Sequence, residues 1–282
     1  MAQTRSEKLQ RLVKVQRHLE HMAENELAAT ARARAEIDES MSAAVNAIGS
    51  LDTVHQLFAN GTELAEALAT RVAAQLAEGV AARGEASIAV SGGSTPKAFF
   101  KALSVKDIAW SKVVITLVDE RFVPPESDRS NHALVSALLL QDNAAAAKFV
   151  PLYHAVADAE DAAFVATGDA KRMPQPFDVV ILGMGGDGHT ASFFPGGNNL
   201  ERALSARAPR GVMTMQAEGA GEPRLTFTFS ALQDARLLVL HIEGEAKKPV
   251  IETALAQGAE GPLPIARVIA NASADTEIYW AP

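Results

Sequence analysis

Residues 179–190, VVILGMGGDGHT, pass from an apolar run into a glycine-rich turn. The run VVIL has no polar alternation, which is typical of a strand covered on both faces of a sheet. Gly183, Gly185 and Gly188 then reproduce the G-x-G-x-x-G spacing of a dinucleotide-binding loop. A buried strand that ends in such a loop predicts an α/β fold, in which ligands bind beyond the carboxyl ends of the strands.

Short apolar runs of the same kind recur on both sides of this stretch, separated by segments with helical spacing. The candidate strands are residues 53–58, 87–90, 113–118, 149–152, 179–182, 212–215, 225–229, 237–242 and 277–280. One helix is expected to follow a cap at Asn60 or Thr62 and to end at Gly79 or Gly84. The alternation predicts an α/β fold with a mostly parallel open sheet and helices on both faces.

The composition limits the classes of function. The 282-residue chain has a formal net charge of −8, which argues against a nucleic-acid-binding surface and requires local basic groups for any anionic substrate. It has no cysteine, so disulfides, thiolate metal sites and a cysteine nucleophile are excluded. No apolar run reaches the roughly 20 residues of a membrane span, and the charged N-terminus is unlike a secretory signal. We therefore expect a cytoplasmic protein with no nucleic-acid or membrane partner.

Residues 1–48 contain no glycine or proline and are rich in Ala, Glu and Arg, which predicts one long helix. Its apolar stripe is narrow and is interrupted by Thr30 and Arg34. The stripe could pack on a partner helix, which would allow self-association, or on the chain's own globular domain. We expect a helical N-terminal extension over residues 1–50 and a catalytic α/β domain over residues 51–282.

The segment after the strand at 87–90 is suited to an anion. Gly92 and Gly93 allow a tight turn, and Ser94 or Thr95 can cap the helix that follows. Free backbone N–H groups at a helix N-terminus, together with nearby hydroxyls, form a seat for phosphate. An ordinary capped turn between a strand and a helix has the same pattern.

Three adjacent charges, Asp119, Glu120 and Arg121, follow the strand at 113–118. Charges directly after a buried strand are costly to desolvate unless they pair or contact a ligand. The Arg121 guanidinium matches phosphate or carboxylate oxygens, and Asp119 could orient a histidine or the substrate. The two prolines at 124 and 125 also allow a plain surface turn.

The glycine-rich turn itself has two interpretations. A dinucleotide-binding loop should lead into a long helix. It should also be followed, about 20 positions on, by an acidic residue at the end of a strand. Here Asp187 would repel a pyrophosphate, PGGNN at 195–199 interrupts the helix, and Glu201 ends no candidate strand. We favour the other interpretation, in which the glycines let the chain bend so that His189 projects into the site as a general base.

Five motifs in a fixed order carry a family resemblance. They are SGGSTP (91–96), DERFVP (119–124) followed by Ser130 and Asn131, GMGGDGHTASFFPG (183–196), PRLTFTFSAL (223–232) and EGEAKKP (243–249). Over about residues 51–282 the chain resembles the 6-phosphogluconolactonase family. The resemblance implies a lactonase-like, modified Rossmann-type fold and hydrolysis of 6-phosphogluconolactone in the oxidative pentose phosphate pathway. It implies no metal and no organic cofactor.

The resemblance also implies a set of site residues. His189 is similar to the family's water-activating base, and Asp119 and Arg121 match residues that orient substrate and stabilise charge. The implied substrate-binding residues are Gly92, Gly93, Ser94, Thr95, Asn131, Asp187, Arg224 and Lys247. Of these, Arg224 and Lys247 match basic residues that hold the phosphate or the ring oxygens, and a surface ion pair is the ordinary alternative for each.

Other functions remain alternatives at this point. The related glucosamine-6-phosphate deaminases share the fold but have DEY and DGHIAFNEP where this chain has DER and DGHTASFFP, which favours the lactonase. Water attack on a lactone needs a base and donors for the oxyanion rather than a nucleophile, and Ser192 lacks a G-x-S-x-G elbow. A phosphosugar isomerase of the same fold, or a non-catalytic phosphosugar-binding protein, would use the same anion seat.

Overall fold

The computed structural model of the chain describes residues 55–273 and 276–282. The predicted helix over residues 1–48, the domain boundary near residue 50 and the first two residues of the predicted strand at 53–58 lie outside the described residues. The remainder of that strand is present as His55–Leu57. None of the helices in the described part of the chain combines the length and the apolar character that a membrane span needs.

Seven parallel strands of the described residues form the main sheet, in the order β1-β10-β9-β6-β2-β3-β5. They are β1 (His55–Leu57), β2 (Ala86–Val90), β3 (Val113–Leu117), β5 (Lys148–Val150), β6 (Val179–Leu182), β9 (Leu238–Glu243) and β10 (Glu277–Ala281). From β2 the chain builds β3 and β5 on one side and then β6, β9 and β10 on the other. The order therefore reverses between β2 and β6, and open α/β sheets bind ligands at such a reversal.

A second, smaller sheet is antiparallel and has the order β4-β8-β7. It contains β4 (Asp119–Arg121), β7 (Val212–Met215) and β8 (Arg224–Phe227). The sequence predicts the last two as strands without separating them from the main sheet, and it predicts a loop at 119–121. The difference arises because the chain leaves the main sheet after Val118, whose N–H donates to Val90, and Asp119 then pairs with Thr226 of β8.

Helices flank the sheets, as the alternating pattern predicts. In the described residues they are α1 (Gly61–Arg83), α2 (Lys97–Ser104), α3 (Asn131–Leu138), α4 (Ala159–Ala170), α5 (Leu200–Leu204), α6 (Phe229–Leu232), α7 (Lys248–Gln257) and α8 (Pro264–Asn271). Short 3₁₀ turns cover Trp110–Lys112, Asp142–Ala146, Glu245–Lys247 and Gly258–Glu260.

The longest of these helices, α1, follows its sequence signals closely. Asn60 caps it by accepting a hydrogen bond from the backbone N–H of Glu63, and Gly84 follows its last residue. Its predicted stripe of Leu64, Leu68, Val72 and Leu76 is fully buried. Burying each such side chain contributes about 1.5–3 kcal/mol to folding, so this stripe is what fixes the helix on the protein.

The central strands are buried on both faces, as their lack of alternation predicts. Every residue of β2, β3 and β6 is buried. Polar residues therefore become accessible only where these strands end, and all three ends lie at the same edge of the sheet because the strands are parallel. That edge holds the candidate site.

Candidate active site

A cavity opens at the carboxyl ends of β2, β6 and β9, beside β4 and β8 of the second sheet. Ten of the eleven residues predicted for the site line it: Gly92, Gly93, Ser94, Thr95, Asp119, Arg121, Asn131, His189, Arg224 and Lys247. The eleventh, Asp187, does not line the cavity and instead contacts His189. Residues from all five sequence motifs are thus brought together around one cavity.

The loop at residues 91–96 is fixed to its neighbours on both sides. The Ser91 hydroxyl donates to the carbonyl of Ile181 at 2.9 Å and accepts the N–H of Gly183 at 2.9 Å, which joins this loop to the end of β6. A Cβ on Gly92 would lie 1.8 Å from Oδ1 of Asn131, so only glycine allows α3 to approach this closely. The loop is held between β6 and α3.

The predicted helix cap in this loop is not present. Helix α2 begins at Lys97 after Pro96, and neither Ser94 nor Thr95 makes a capping hydrogen bond. The expectation was wrong because Pro96 occupies the N-cap position, and a proline side chain has no atom that accepts a hydrogen bond. Both hydroxyls consequently remain in the cavity wall, where an anionic ligand can accept hydrogen bonds from them.

Glu120 fixes the loop that follows β3, residues 119–131, to the start of α3. Its buried carboxylate accepts hydrogen bonds from the backbone N–H groups of Arg121, Asn131 and His132 and from the Ser130 hydroxyl, at 2.7–3.1 Å. Burial raises the pKa of Glu120, and the three backbone N–H groups oppose that shift. The carboxylate thereby satisfies the N-terminus of α3, which explains why this residue tolerates burial.

Asp119 and Arg121, on either side of Glu120, line the cavity instead. The backbone carbonyl of Asp119 accepts a hydrogen bond from the Asn131 side chain at 2.9 Å, and its carboxylate Oδ2 lies 2.6 Å from the hydroxyl of Ser192. One guanidinium nitrogen of Arg121 donates to the carbonyl of Arg129. Of the three adjacent charges, the protein itself satisfies one and leaves two available to a ligand.

His189 is positioned by the glycine-rich turn, as the sequence predicts. A Cβ on Gly185 would lie 2.2 Å from the His189 ring, so a glycine is required for the ring to fold back over the turn. The Gly185 N–H donates to the His189 carbonyl at 2.9 Å, and the ring centroid lies 4.5 Å from that of Phe194. These contacts place the imidazole in the cavity wall.

Asp187 orients the imidazole. Its Oδ1 lies 2.5 Å from His189 Nδ1 and accepts the His189 backbone N–H at 3.1 Å. Burial raises the pKa of Asp187, but the hydrogen bonds and charge of His189 outweigh burial and hold that pKa below its usual value. With a proton on Nδ1 directed at the carboxylate, Nε2 carries the free lone pair of the neutral ring.

Two arginines contribute partly desolvated positive charge to the cavity. Nε of Arg121 and Nε of Arg224 are buried and have no hydrogen-bond partner among the described residues. Burial lowers the pKa of Arg224, the carboxylate of Asp119 opposes this shift, and the charge of Arg121 adds to it. The Arg224 guanidinium also lies over the Phe194 ring at 5.4 Å. Guanidinium groups in this state favour an anionic ligand.

Lys247 adds a third positive charge, from the turn that follows β9. Burial lowers the pKa of Lys247, and the nearby carboxylate of Glu243 opposes this shift. The adjacent Lys248 lies outside the cavity, with its ammonium over the Trp280 ring at 5.2 Å. The two neighbouring lysines therefore have different environments.

His241 also lines the cavity, and the sequence does not predict it. It lies within the apolar strand β9 and is 2% exposed, with Nε2 3.0 Å from a Glu243 carboxylate oxygen. Its Nδ1 has no partner in the described part of the chain. A histidine in an apolar run normally belongs to the core, so the sequence contains no signal for it. Residues 55–273 and 276–282 contain no cluster of three or more acidic or histidine side chains that could hold a metal.

The sequence of the chain matches a known family. A sequence model described as glucosamine-6-phosphate isomerases/6-phosphogluconolactonase matches residues 59–280. The match covers most of the chain and includes the loops that follow β2, β3 and β6. The chain belongs to this family.

Its similar relatives carry the lactonase name. A 6-phosphogluconolactonase from Rhizobium meliloti (strain 1021) is 62% identical over 226 residues, which are 80% of this chain and 97% of the relative. One from Mesorhizobium japonicum is 50% identical over 225 residues, 80% of this chain and 94% of the relative. The crystal structure of a 6-phosphogluconolactonase from Shewanella baltica OS155 matches with a TM-score of 0.78 and 41% identity, covering 81% of this chain and 97% of that one.

Proposed function

We propose that this protein hydrolyses 6-phospho-D-glucono-1,5-lactone to 6-phospho-D-gluconate, the second step of the oxidative pentose phosphate pathway. The observation that carries the proposal is the 62% identity to a 6-phosphogluconolactonase over nearly that relative's whole length. The cavity supports it, because it combines an oriented imidazole with three cationic side chains.

The phosphate of the substrate is assigned to the cationic part of the cavity. Arg224 and Lys247 supply positive charge, and the loop at 91–96 supplies hydroxyls. None of the backbone N–H groups of residues 92–95 donates a hydrogen bond to another described residue, so they are available to phosphate oxygens. The charge is local, since the chain as a whole has a net charge of −8.

His189 is assigned as the general base. Its Nε2 removes a proton from a water molecule while the water oxygen forms a bond to C1 of the lactone. The Nδ1 contact with Asp187 stabilises the imidazolium that results. The C1–O5 ring bond then breaks, the same proton passes from His189 to O5, and the product is the open-chain acid.

Asp119 and Arg121 are assigned to the reacting end of the substrate. The buried Nε of the Arg121 guanidinium is a donor for the negative charge that develops on the carbonyl oxygen. The Asp119 carboxylate accepts a hydrogen bond from a ring hydroxyl and so orients the lactone. Asn131 and Glu120 hold these two residues in place through the contacts described above.

Hydrolysis is favoured over deamination, because the relatives quoted above carry the lactonase name rather than the deaminase name. We also assign the protein to the cytoplasm, where its pathway operates. Self-association through residues 1–50 is a further proposal. It predicts that a chain lacking those residues forms a smaller assembly in light scattering, and an unchanged assembly would contradict it.

The test is hydrolysis of freshly generated 6-phosphogluconolactone, with the product measured through a coupled dehydrogenase. We expect turnover well above the spontaneous rate and none with glucosamine 6-phosphate. Lys247→Met should raise KM about 10- to 100-fold with little change in kcat, because it removes a phosphate contact made equally in ground and transition states. Lys248→Met is the matched control, since the neighbouring lysine lies outside the cavity. No turnover by the folded wild-type protein would contradict the proposal.

A further inference from the structure

Ser192 is a buried hydroxyl that the proposed reaction does not use. It is fully buried in the segment that follows His189, and its Oγ lies 2.6 Å from Oδ2 of Asp119. That separation is in the range of a charge-assisted O–H···O⁻ bond. Because a carboxylate only accepts, the serine hydroxyl is the donor.

The contact removes Ser192 from consideration as a nucleophile. A serine nucleophile must give its proton to a base, and here the proton is directed at Asp119 rather than at the His189 imidazole. Ser192 is also not among the residues that line the cavity. Its hydroxyl therefore acts on the substrate only through Asp119.

The contact leaves the two oxygens of Asp119 in different states. Oδ2 is occupied by Ser192, whereas Oδ1 has no hydrogen-bond partner among the described residues. Asp119 lines the cavity, so Oδ1 is the oxygen available to a ligand. Without Ser192 the carboxylate could rotate and present either oxygen.

Ser192 is itself held by the sheet that carries Asp119. Its backbone N–H lies 3.5 Å from the Thr226 hydroxyl, and Thr226 is paired with Asp119 across β4 and β8. Ser192 thus connects the segment that contains His189 to the strand pair that contains Asp119. These two segments carry the proposed base and the proposed orienting carboxylate.

We propose that Ser192 is a positioning residue, which fixes the Asp119 carboxylate so that its Oδ1 accepts a hydrogen bond from a hydroxyl of the sugar lactone. This inference rests on the proposed function, because it names the carboxylate oxygen that accepts the hydrogen bond from the substrate. It assigns specificity for a hydroxylated ring to a hydrogen bond that lies behind the cavity wall.

The first experiment compares Ser192→Ala with wild type and with Ser104→Ala. Ser104 is a matched control, because it is also buried and also lies within hydrogen-bond distance of an aspartate, Asp142, at 3.1 Å, but outside the cavity. We expect Ser192→Ala to lower kcat/KM about 10- to 100-fold, the loss typical of a hydrogen bond to a charged group. Ser104→Ala should leave kcat/KM within about twofold of wild type.

The second experiment is a double-mutant cycle with Asp119→Asn, measured as the affinity for 6-phosphogluconate by calorimetry. A positioning residue acts only through its partner, so Ser192→Ala should weaken binding in the wild-type background and change it less than about twofold beside Asp119→Asn. A general structural effect would instead give losses that add. The binding cycle does not depend on turnover, so it remains measurable if Asp119→Asn is inactive.

Three results would overturn the inference. The first is a wild-type kcat/KM in Ser192→Ala, and the second is additive losses of binding affinity in the double-mutant cycle. The third is complete loss of turnover in Ser192→Ala with unchanged binding, which would indicate a nucleophile. If Ser192→Ala does not fold, as judged by its melting transition, Ser192→Cys keeps the shape of the side chain with a slightly larger atom and a weaker donor, and should lower kcat/KM about 3- to 10-fold. Failure of the proposed function would appear separately, as absence of turnover in the wild-type protein.

Discussion

The two walls of the cavity hold their functional groups in different ways. In the first wall, formed by β4 and the start of α3, the buried Glu120 accepts four hydrogen bonds and fixes the neighbouring Asp119 and Arg121. In the second wall, the segment 183–194, the His189 ring is 32% exposed and depends on a glycine and on one aspartate, Asp187, which is 53% exposed. The first wall is part of the folded core, whereas the second carries a reactive group on a turn.

The first wall therefore contributes mainly to the stability of the fold, and the second wall contributes mainly to the reaction. Substitution of Glu120, which supports the first wall, should mainly lower the stability of the protein. Substitutions at Gly185, Asp187 and His189, on the exposed part of the second wall, should alter the reaction and leave the fold intact.

Glu120→Ala should destabilise the protein by about 3–5 kcal/mol, because it leaves three backbone N–H groups and a serine hydroxyl without their acceptor. For a domain of this size the melting temperature should fall by about 6–20 °C, measured by calorimetry. Glu126→Ala is the control, since that residue is exposed and lies in the same loop. A change below about 1 kcal/mol in Glu120→Ala would show that the first wall does not depend on this carboxylate.

Gly185→Ala should lower kcat/KM about 10- to 100-fold with a small change in stability. The added Cβ would meet the His189 ring at 2.2 Å, and displacing a reacting group by about 1 Å costs on the order of 100-fold in rate. Gly186→Ala, one residue further on, adds a Cβ with no atom within 4 Å and should be close to wild type. Equal activities in the two variants would mean that the glycine does not position the imidazole.

Asp187→Asn should give the smallest effect on stability, and the effect should depend on pH. The folded-state pKa of Asp187 lies below the ordinary value of 3.8, so its interaction with His189 stabilises the protein above that pH and is lost as the pH falls through the folded-state pKa. The difference in melting temperature between wild type and Asp187→Asn should therefore be present at pH 5 and vanish in strong acid. A difference that grows on acidification would have the opposite sign.

Much of the site follows from the sequence, because the rule that ligands bind at the carboxyl ends of parallel strands is general. The three loops after β2, β3 and β6 converge as predicted, and their glycines and charges are visible in the sequence. The class of fold and the family are likewise confirmed.

The remaining features depend on contacts between distant residues. Ser192 and Asp119 are 73 positions apart, and nothing local to either residue predicts that they meet. The pairing of β4 with β8, which turns a predicted loop into a strand, is of the same kind. His241 was missed because its strand resembles ordinary core, and Asp187 was expected to contact substrate because its pairing with His189 depends on the conformation of the turn.

The most direct test of the account is the turnover of His189→Gln on freshly generated 6-phosphogluconolactone, compared with wild type and with His154→Gln. His154 is a matched control, because it also lies near an aspartate, Asp169, at 3.3 Å, but outside the cavity. We expect kcat to fall about 100- to 10,000-fold in His189→Gln, with only the small fall in melting temperature that loss of the Asp187 contact causes, and near wild-type activity in His154→Gln. If His189→Gln retained more than about a tenth of the wild-type kcat, water activation by this imidazole would be contradicted.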